Sequence, residues 1–390
     1  MKFDKKNPLH WLYLVGGAIA VVVTLPARIF KSFREKPLVV LYGHKLNGNL
    51  KAFYDYVSSM TDPEFRVVYL TMDPVYYKQL KKQGVDVMLN HNPLHMFHVS
   101  QADVMMTDHG YHSIYIYYRW TSMKFVDVWH GIPYKGYTPS NFVAYQNYAG
   151  IWTSSPTLRK AYVNDFKLND NIVKVTGYAR IDPLVNDEYN LDSVREKYGI
   201  PTTFKKVVLL APTWRQDDAG RSIIPFDLEI SDFFNGLNDV ASKSNTLIIF
   251  RAHLNSGDNI DIAQYENIKI MPYARYPVAE DFLAISDVLI SDWSSIVFDY
   301  LPLRRPTIFL DVPSPFKDGF TVKPKYRFGE IVASYQTLLS SLEEYLERPD
   351  VFREKYKAIM SEANEVVYGD TADGRSSERY VKELKRLIGA

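Results

Sequence analysis

The chain has no cysteine among its 390 residues, which excludes a disulfide framework, thiolate catalysis and thiolate metal ligands. It also lacks an excess of charge of either sign. Its 46 basic side chains are balanced by 45 acidic ones, so the formal net charge is +1. A nearly neutral chain gives no general electrostatic case for binding nucleic acid, and we expect no nucleic-acid partner.

Several sequence patterns of common catalytic sites are also absent. There is no GxxxxGKS/T phosphate loop, no GxGxxG dinucleotide motif, no HExxH zinc motif and no GxSxG nucleophile elbow. The segment ADVMMTDHGYHS contains acidic residues and histidines but no second ligand group at a recognisable spacing. We therefore favour cleft lining or structural contacts for this segment, which contains His109, and predict no metal site.

One long apolar run is present, near the start of the chain. Residues 11–27, WLYLVGGAIAVVVTLPA, carry no charge, and basic residues lie on both sides of them. This length is at the lower limit for a helix that spans a bilayer, and the basic flanks suit anionic head groups. We predict that residues 1–36 associate with a membrane, as a single span or as a helix on its cytoplasmic face. A buried core helix is the alternative.

Beyond residue 37, short apolar runs alternate with helical stretches, which predicts parallel sheets with right-handed crossovers. The strand candidates are Leu38–Tyr42, Arg66–Leu70, Val85–Leu89, Asp103–Thr107, Lys124–Trp129, Gly150–Ser154 and Ile172–Thr176, then Val207–Ala211, Thr246–Phe250, Ile268–Met271, Val288–Ser291 and Thr307–Leu310. Two series of strands predict an α/β fold with two doubly wound, Rossmann-like domains that face each other across a cleft. We place them at residues 37–190 and 191–390.

The segment SDVLISDWSSIVFDYLPLRRP, residues 286–306, predicts a buried strand, a turn and a helix that begins at Ser294–Ser295. The first turn of a helix has free backbone N–H groups and a partial positive charge. Two hydroxyl groups at that position suit a phosphate. The alternative is an ordinary helix cap.

A second motif, Trp129-His130-Gly131, follows a predicted strand. Histidine has an unperturbed pKa near working pH, so His130 in a cleft can accept a proton from an attacking hydroxyl. The alternative is a histidine that only hydrogen-bonds its own loop. Lys135, further along, supplies either a charge directed at phosphate or a solvated surface side chain.

Two further strand ends carry groups that suit anions. In APTWR, Thr213 offers a hydroxyl and Arg215 a planar guanidinium. In RAH, Arg251 and His253 lie on the same side of an extended segment. A rigid loop and a strand-end salt bridge are the respective alternatives.

The motif DGRSS, residues 373–377, precedes the last predicted helix. Gly374 permits a close backbone approach, and Arg375 and Ser376 are candidates for a phosphate contact. A plain helix cap is the alternative.

Together and in this order, DVWHGIPYK, APTWR, RAH, SDVLISDWSSIVFDYLPLRRP and DGRSSER resemble the CDP-glycerol glycerophosphotransferase family of teichoic acid synthesis. The resemblance covers about residues 38–385. It implies a GT-B type fold and transfer of glycerol phosphate from CDP-glycerol to a hydroxyl of an undecaprenyl-diphosphate-linked saccharide, with release of CMP. It also implies the cytoplasmic face of the cell membrane, and no cofactor is required.

With the motifs, this resemblance leads us to expect an in-line displacement at phosphorus. The expected catalytic residues are His130 and His253. The residues expected at the donor phosphates or nucleotide are Thr213, Arg215, Arg251, Ser294, Ser295, Asp299, Arg375 and Ser376. The residues expected to contact the acceptor or line the cleft are Trp129, Gly131, Lys135 and His109.

Two positions depart from the family pattern. Trp293 stands where tyrosine is common, and Leu254 where proline is common. The chain is similar to the shorter, primase-type members. Three alternatives remain: a glycosyltransferase that uses a nucleotide sugar, a ribitol-phosphate or capsule-polymer transferase, and a non-catalytic scaffold.

Overall fold

A computed structural model of the protein describes residues 7–27, 34–110, 121–213, 224–251, 264–273 and 275–389. Most of its strands are short apolar runs buried on both faces, as expected for parallel sheets covered by helices. Every strand pairing described in the two sheets is parallel. The predicted α/β class is confirmed.

The first sheet has the strand order β3-β2-β1-β4-β5-β6-β7. Its strands are β1 Leu38–Tyr42, β2 Arg66–Thr71, β3 Val87–Leu89, β4 Val104–Thr107, β5 Lys124–Asp127, β6 Gly150–Thr153 and β7 Val173–Val175. The strand order reverses between β1 and β4, so a crevice opens at their carboxyl ends.

The second sheet has the strand order β10-β9-β8-β11-β12-β13. Its strands are β8 Lys206–Leu210, β9 Thr246–Phe250, β10 Ile268–Ile270, β11 Val288–Ser291, β12 Thr307–Leu310 and β13 Glu330–Val332. The order reverses between β8 and β11. The edge strand β13 was not predicted, because its three residues have no continuous apolar run.

The helices cover both sheets. They are α1 Pro8–Thr24, α2 Gly48–Ser59, α3 Pro74–Lys82, α4 Pro93–Ser100, α5 Pro156–Asn164, α6 Asp182–Val185, α7 Leu191–Lys197, α8 Ile230–Lys243, α9 Glu280–Ile285, α10 Ile296–Tyr300, α11 Tyr335–Glu347, α12 Pro349–Val367 and α13 Ser376–Ile388. Helix α13 lies at the end of the chain but packs on the first sheet, where Tyr380 stacks near Phe53 and Trp152.

Helix α1 lies along the first domain. Its buried face includes Gly17, where an added Cβ would lie 2.7 Å from Asn90 Nδ2, and Tyr13 stacks on His91 at 4.8 Å. The opposite face is apolar and exposed, with Leu12, Val15, Ile19 and Val23 on it. Over Pro8–Ala27 the chain is long and apolar enough to cross a membrane, with a mean hydropathy of 1.8, but length and composition alone are weak evidence.

The two domains pack against each other beside the crevices of their sheets. Tyr134, from the first domain, is buried among aromatic side chains of the second, with ring centroids 4.9 Å from Phe298 and 5.7 Å from Phe320. The next residue, Lys135, forms an antiparallel bridge with Phe320. The segment after His130 therefore holds the first domain against the second.

Candidate active site

Three histidines follow neighbouring strands of the first sheet at its point of reversal. His44 follows β1, His109 follows β4 and His130 follows β5. The rings of His44 and His109 lie 4.8 Å apart, and those of His109 and His130 lie 4.3 Å apart at an angle of 13°. The three imidazoles form a row at the carboxyl edge of the sheet.

The hydrogen bond of His130 determines its tautomer. Nδ1 lies 3.0 Å from the main-chain oxygen of Asp108, and a carbonyl oxygen can only accept, so Nδ1 carries the proton. In the neutral ring, Nε2 then keeps its lone pair. The enclosing protein lowers the pKa of His130 below its ordinary value, and His109 lowers it further, although the residue is exposed. His130 is therefore a neutral, accessible proton acceptor near pH 7.

The loop that carries His130 has a strained backbone. Trp129 has φ 54°, which is unusual for a bulky residue, and β5 therefore ends at Asp127 rather than continuing to Trp129 as predicted. The buried Asp127 carboxylate holds this conformation by accepting from Trp129 N at 2.8 Å and Gly110 N at 3.2 Å. Burial raises the pKa of Asp127 to about 7 despite these hydrogen bonds.

Trp129 does not line the cleft as expected, because only 7% of its surface is exposed. Its ring packs against Phe142, Tyr145 and Tyr162. It also stacks near the His130 ring, at 5.0 Å. The correction is that Trp129 supports His130 from the core of the first domain.

His109 is half-buried and stacks on His130. Its Nδ1 lies 2.8 Å from Oδ1 of Asp108. Burial lowers the pKa of His109, but the charge and hydrogen bond of Asp108 and the charge of Asp127 together raise it, so it ends above the ordinary value. The Asp108 carboxylate thus makes His109 more basic than His130.

Asn49 and Arg180 also hold the His130 loop, through hydrogen bonds to its main-chain carbonyls. Sequence reasoning missed both residues. Asn49 Nδ2 donates to the carbonyls of Val128 and Trp129, at 2.9 and 3.0 Å, and its Oδ1 accepts from Arg180 N. Arg180 Nη1 donates to the carbonyl of His130 at 2.6 Å. These are contacts across long sequence separations, for which no local motif exists.

Arg180 also pairs with two carboxylates of the second domain, Glu280 at 2.6 Å and Asp299 at 3.3 Å. This corrects the expectation that Asp299 binds the donor, because its side chain is 2% exposed and faces Arg180. Burial raises the pKa of Asp299 to about 6; Arg180 opposes that rise, and Glu280 adds to it.

The serine pair lies across the cleft from the His130 loop. Ser294 and Ser295 are half-buried at the start of α10, and Ser294 Oγ accepts weakly from Ile296 N at 3.5 Å. Gly131 has φ 137°, and a Cβ added there would lie 3.7 Å from Ser295 Oγ and 3.2 Å from Arg180 Nη1. The expected convergence of the WHG and serine motifs is therefore present.

Two other predicted donor residues lie at the carboxyl ends of β8 and β9. Thr213 N donates to Oδ1 of Asp292 at 2.5 Å, and the buried Thr213 Oγ1 has no hydrogen-bond partner within the described parts of the chain. Arg251 is buried, with Nη1 donating to Met271 O and the guanidinium 4.8 Å from the Phe282 ring. Its Nη2 has no partner among the described residues.

In the DGRSS motif, the expected phosphate contact of Ser376 is corrected by the structure. The N–H groups of Ser376 and Ser377, at the start of α13, donate to the Asp182 carboxylate at 3.0 and 2.7 Å. Ser376 is fully buried, so this helix end binds a protein carboxylate rather than a phosphate. Arg375 is exposed and pairs with Glu378 at 2.8 Å.

The other predicted residues have simpler outcomes. Lys135 is exposed beside the interdomain bridge, with Nζ 5.2 Å from the Tyr137 ring. Arg215 and His253 lie outside the described residues. No group of three metal-ligating side chains occurs in the part of the chain that the structure describes.

The chain is similar to known proteins of teichoic acid synthesis. A family model described as CDP-glycerol:poly(glycerophosphate) glycerophosphotransferase matches residues 27–385. The teichoic acid ribitol-phosphate polymerases TarK and TarL of Staphylococcus aureus are 27% and 26% identical over 74% and 73% of the chain. The chain spans only 57% and 52% of those two proteins.

In two further similarities, the chain covers a larger share of the other protein's length. The teichoic acid glycerol-phosphate transferase of Staphylococcus aureus is 27% identical over 68% of this chain and 72% of its own length. The structure of the wall teichoic acid polymerase TagF has a TM-score of 0.72 at 18% identity, and covers 97% of this chain and 98% of that one. This likeness confirms the predicted GT-B type fold.

Proposed function

Because the chain belongs to the CDP-glycerol:poly(glycerophosphate) glycerophosphotransferase family, we propose that it transfers glycerol phosphate from CDP-glycerol to a hydroxyl of a membrane lipid-linked saccharide. The reaction releases CMP. A structure of a TagF variant soaked with CDPG, which shares the fold at 18% identity, supports the choice of donor.

The observation that carries this proposal is the position of His130. Its Nε2 keeps a lone pair, and the next residue, Gly131, adjoins Ser295 of the facing domain. An acceptor hydroxyl bound between His130 and Ser295 has a base on one side and a phosphate-binding site on the other. This is the arrangement that an in-line transfer needs.

In the proposed step, the acceptor oxygen attacks the phosphorus that bears glycerol. Its O–H bond breaks, and the proton moves to Nε2 of His130. The bond from phosphorus to the CMP oxygen breaks, and CMP leaves with the electron pair. The positive end of α10, with Ser294 and Ser295, stabilises the negative charge on the transferred group.

Other donor contacts are proposed from the motifs. Arg251 and Thr213 contribute polar groups at the carboxyl edge of the second sheet, and each has one buried atom without a partner in the described residues. By the family resemblance, we assign His253 and Arg215 to the donor diphosphate. Arg375 is a candidate for the same role only if it leaves Glu378.

One experiment tests the proposal directly. The purified protein is incubated with CDP-glycerol and lipid-linked saccharide acceptors, and the products are identified by mass spectrometry. We expect CMP and an acceptor heavier by one or more glycerol phosphate units. Release of a nucleoside diphosphate from a nucleotide sugar, with none of CMP, would overturn the proposal. The His130→Ala variant is the negative control.

CDP-ribitol is the second candidate donor. Two relatives, TarK and TarL, are named as ribitol-phosphate polymerases. The same incubation with an equal mixture of both donors separates the two substrates, because glycerol phosphate and ribitol phosphate add different masses. A product that contains only ribitol phosphate would replace glycerol with ribitol in the proposal and leave the mechanism unchanged.

We also propose that the protein lies on the cytoplasmic face of the cell membrane through α1. One face of α1 packs on the first domain, and the other exposes Leu12, Val15, Ile19 and Val23. A helix with one face on its own domain suits a position in the plane of the membrane surface rather than a span. A membrane position brings the enzyme close to a lipid-linked acceptor.

A further inference from the structure

His109 and His130 are close enough to influence each other's charge. Their rings are nearly parallel, with centroids 4.3 Å apart. A positive charge on one imidazole raises the free energy of placing a second positive charge on its neighbour. Two stacked imidazoles therefore titrate as a coupled pair, and the first proton makes the second harder to add.

The hydrogen bonds of the pair determine which ring is protonated first. Nδ1 of His130 donates to a neutral main-chain carbonyl, whereas Nδ1 of His109 lies 2.8 Å from the Asp108 carboxylate. A carboxylate stabilises an imidazolium more than a carbonyl oxygen does. His109 is therefore the ring that takes the first proton as the pH falls.

The other charged groups around the pair do not change this order. Asp127, at the end of β5, directs its carboxylate to Trp129 N and Gly110 N. The charge of Arg180 lowers the pKa of both rings, and Arg180 is itself paired with Glu280 and Asp299. From the end of β1, the His44 ring faces His109 at 4.8 Å.

We propose that His109 is a positioning residue that controls when His130 can act as a base. During the transfer His130 gains a proton, so a protonated His109 opposes the step, and a neutral His109 permits it. This inference rests on the proposed base role of His130. Its consequence is that the loss of activity at acidic pH follows the titration of His109 rather than that of His130.

The pH profile tests this assignment. CMP release from CDP-glycerol is measured as kcat/KM across the acid and neutral range, and each profile is normalised to its own plateau. A donor diphosphate esterified at both ends has no proton that titrates near neutrality. On the acidic side of the wild-type profile, kcat/KM should fall with a midpoint above the ordinary histidine pKa of about 6.5. This fall is called the acid limb. In His109→Asn the limb should move to lower pH by about one unit or more, a tenfold change in proton concentration.

Asp108→Asn is the second variant, and it should move the limb in the same direction, because His109 loses the carboxylate that makes it basic. His98→Asn is the matched control, since His98 is exposed on α4; its limb should stay in place. An acid limb that is unchanged in both His109→Asn and Asp108→Asn would overturn the inference.

A readout without turnover separates this inference from the proposed function. Histidine-labelled full-length protein is titrated by NMR, and the signals are assigned with His109→Asn and His130→Asn. We expect His109 to titrate at higher pH than His130, and His130 to titrate at higher pH once His109 is replaced. An unmoved His130 titration refutes the coupling. Normal turnover in His130→Ala refutes the base role instead.

Discussion

Arg180 and Glu280 form an ion pair between the two domains, with Nη2 of Arg180 2.6 Å from Oε1 of Glu280. The same guanidinium donates to the carbonyl of His130 and pairs with Asp299 in α10. Asp299 lies one helical turn after Ser295. One side chain therefore links the loop of the proposed base to the helix of the proposed phosphate site.

Replacing Arg180 should strongly destabilise the protein. Arg180→Gln leaves Glu280 and Asp299 without their cation, and breaking a buried pair typically costs about 3–5 kcal/mol. The free energy of unfolding in urea measures this. Arg353→Gln is the matched control: the side chains of its pair with Asp350 are 51% and 83% exposed, so it should cost about 1 kcal/mol or less. Equal losses in the two variants would contradict the interdomain role.

His130→Ala should abolish most turnover while leaving donor binding intact. General base catalysis typically contributes about 10²–10⁴-fold in rate, and His130 lies on the first domain, opposite the proposed donor site. Steady-state kinetics should show a lower kcat and a KM for CDP-glycerol within several-fold of wild type. His98→Ala, at an exposed position of α4, is the control. Normal kcat in His130→Ala would rule out the base role.

Ser295→Ala and His253→Ala should each weaken use of the donor. A hydrogen bond to a charged group is typically worth roughly 1.5–3 kcal/mol, so kcat/KM for CDP-glycerol should fall accordingly. Ser340→Ala, an exposed serine of α11, is the control. If donor KM and kcat are unchanged in both test variants, the donor binds elsewhere.

Asp127 should make the protein less stable as the pH rises. Its pKa is raised from 3.8 to about 7, so between these values the folded state binds more protons than the unfolded state. The contribution of Asp127 to the free energy of unfolding is fully present below about pH 4 and is lost as the pH rises through 7. As the pH rises over this range, the Tm of Asp127→Asn should increase relative to the Tm of the wild type. A constant difference would show that Asp127 does not titrate there.

Acidic substitutions on the exposed face of α1 should release the protein from membranes. Val15 and Ile19 are 52% and 58% exposed, so Val15→Glu with Ile19→Glu should fold normally and float less with anionic vesicles. Val143→Glu, at an equally exposed site in another part of the first domain, is the control. Binding of wild type that survives high salt and alkaline washing would favour a span instead.

Deleting residues 1–30 should leave a foldable domain with lower activity on long-chain acceptors. The structure makes this a less direct test than the substitutions, because α1 covers Asn90 and His91 of the first domain. Removing the helix exposes that surface as well as removing the proposed membrane contact. The ratio of activities on long-chain and soluble acceptors is still expected to fall.

Most of the fold was predictable because buried parallel strands have a strong local pattern. The bounds of β1, β9, β11 and β12 match the predicted ones, since each is an apolar run that ends at polar or turn residues. Trp129 was assigned to a strand because its apolar side chain continues such a run. Its left-handed backbone is held by hydrogen bonds with Asp127 and with Asn49, which lies far away in the chain.

The candidate site was predictable in part. His130 and Ser295 were found because each follows a strand, and strand ends meet at one edge of a sheet. Ser376 was also at the start of a helix, but the carboxylate that its N–H group binds comes from Asp182, far away in the sequence. A helix start therefore indicates an anion site, and the sequence does not say whether the protein itself supplies the anion.

The sequence by itself determined the two series of strands, the apolar first helix and the order of the motifs, because each depends on neighbouring residues. Only the tertiary structure decided that Arg180 joins Glu280 and Asp299, and that His109 stacks on His130 beside Asp108. Charge balance and proton affinity depend on distances in space, and residues far apart in the chain set those distances when the sheets and domains pack.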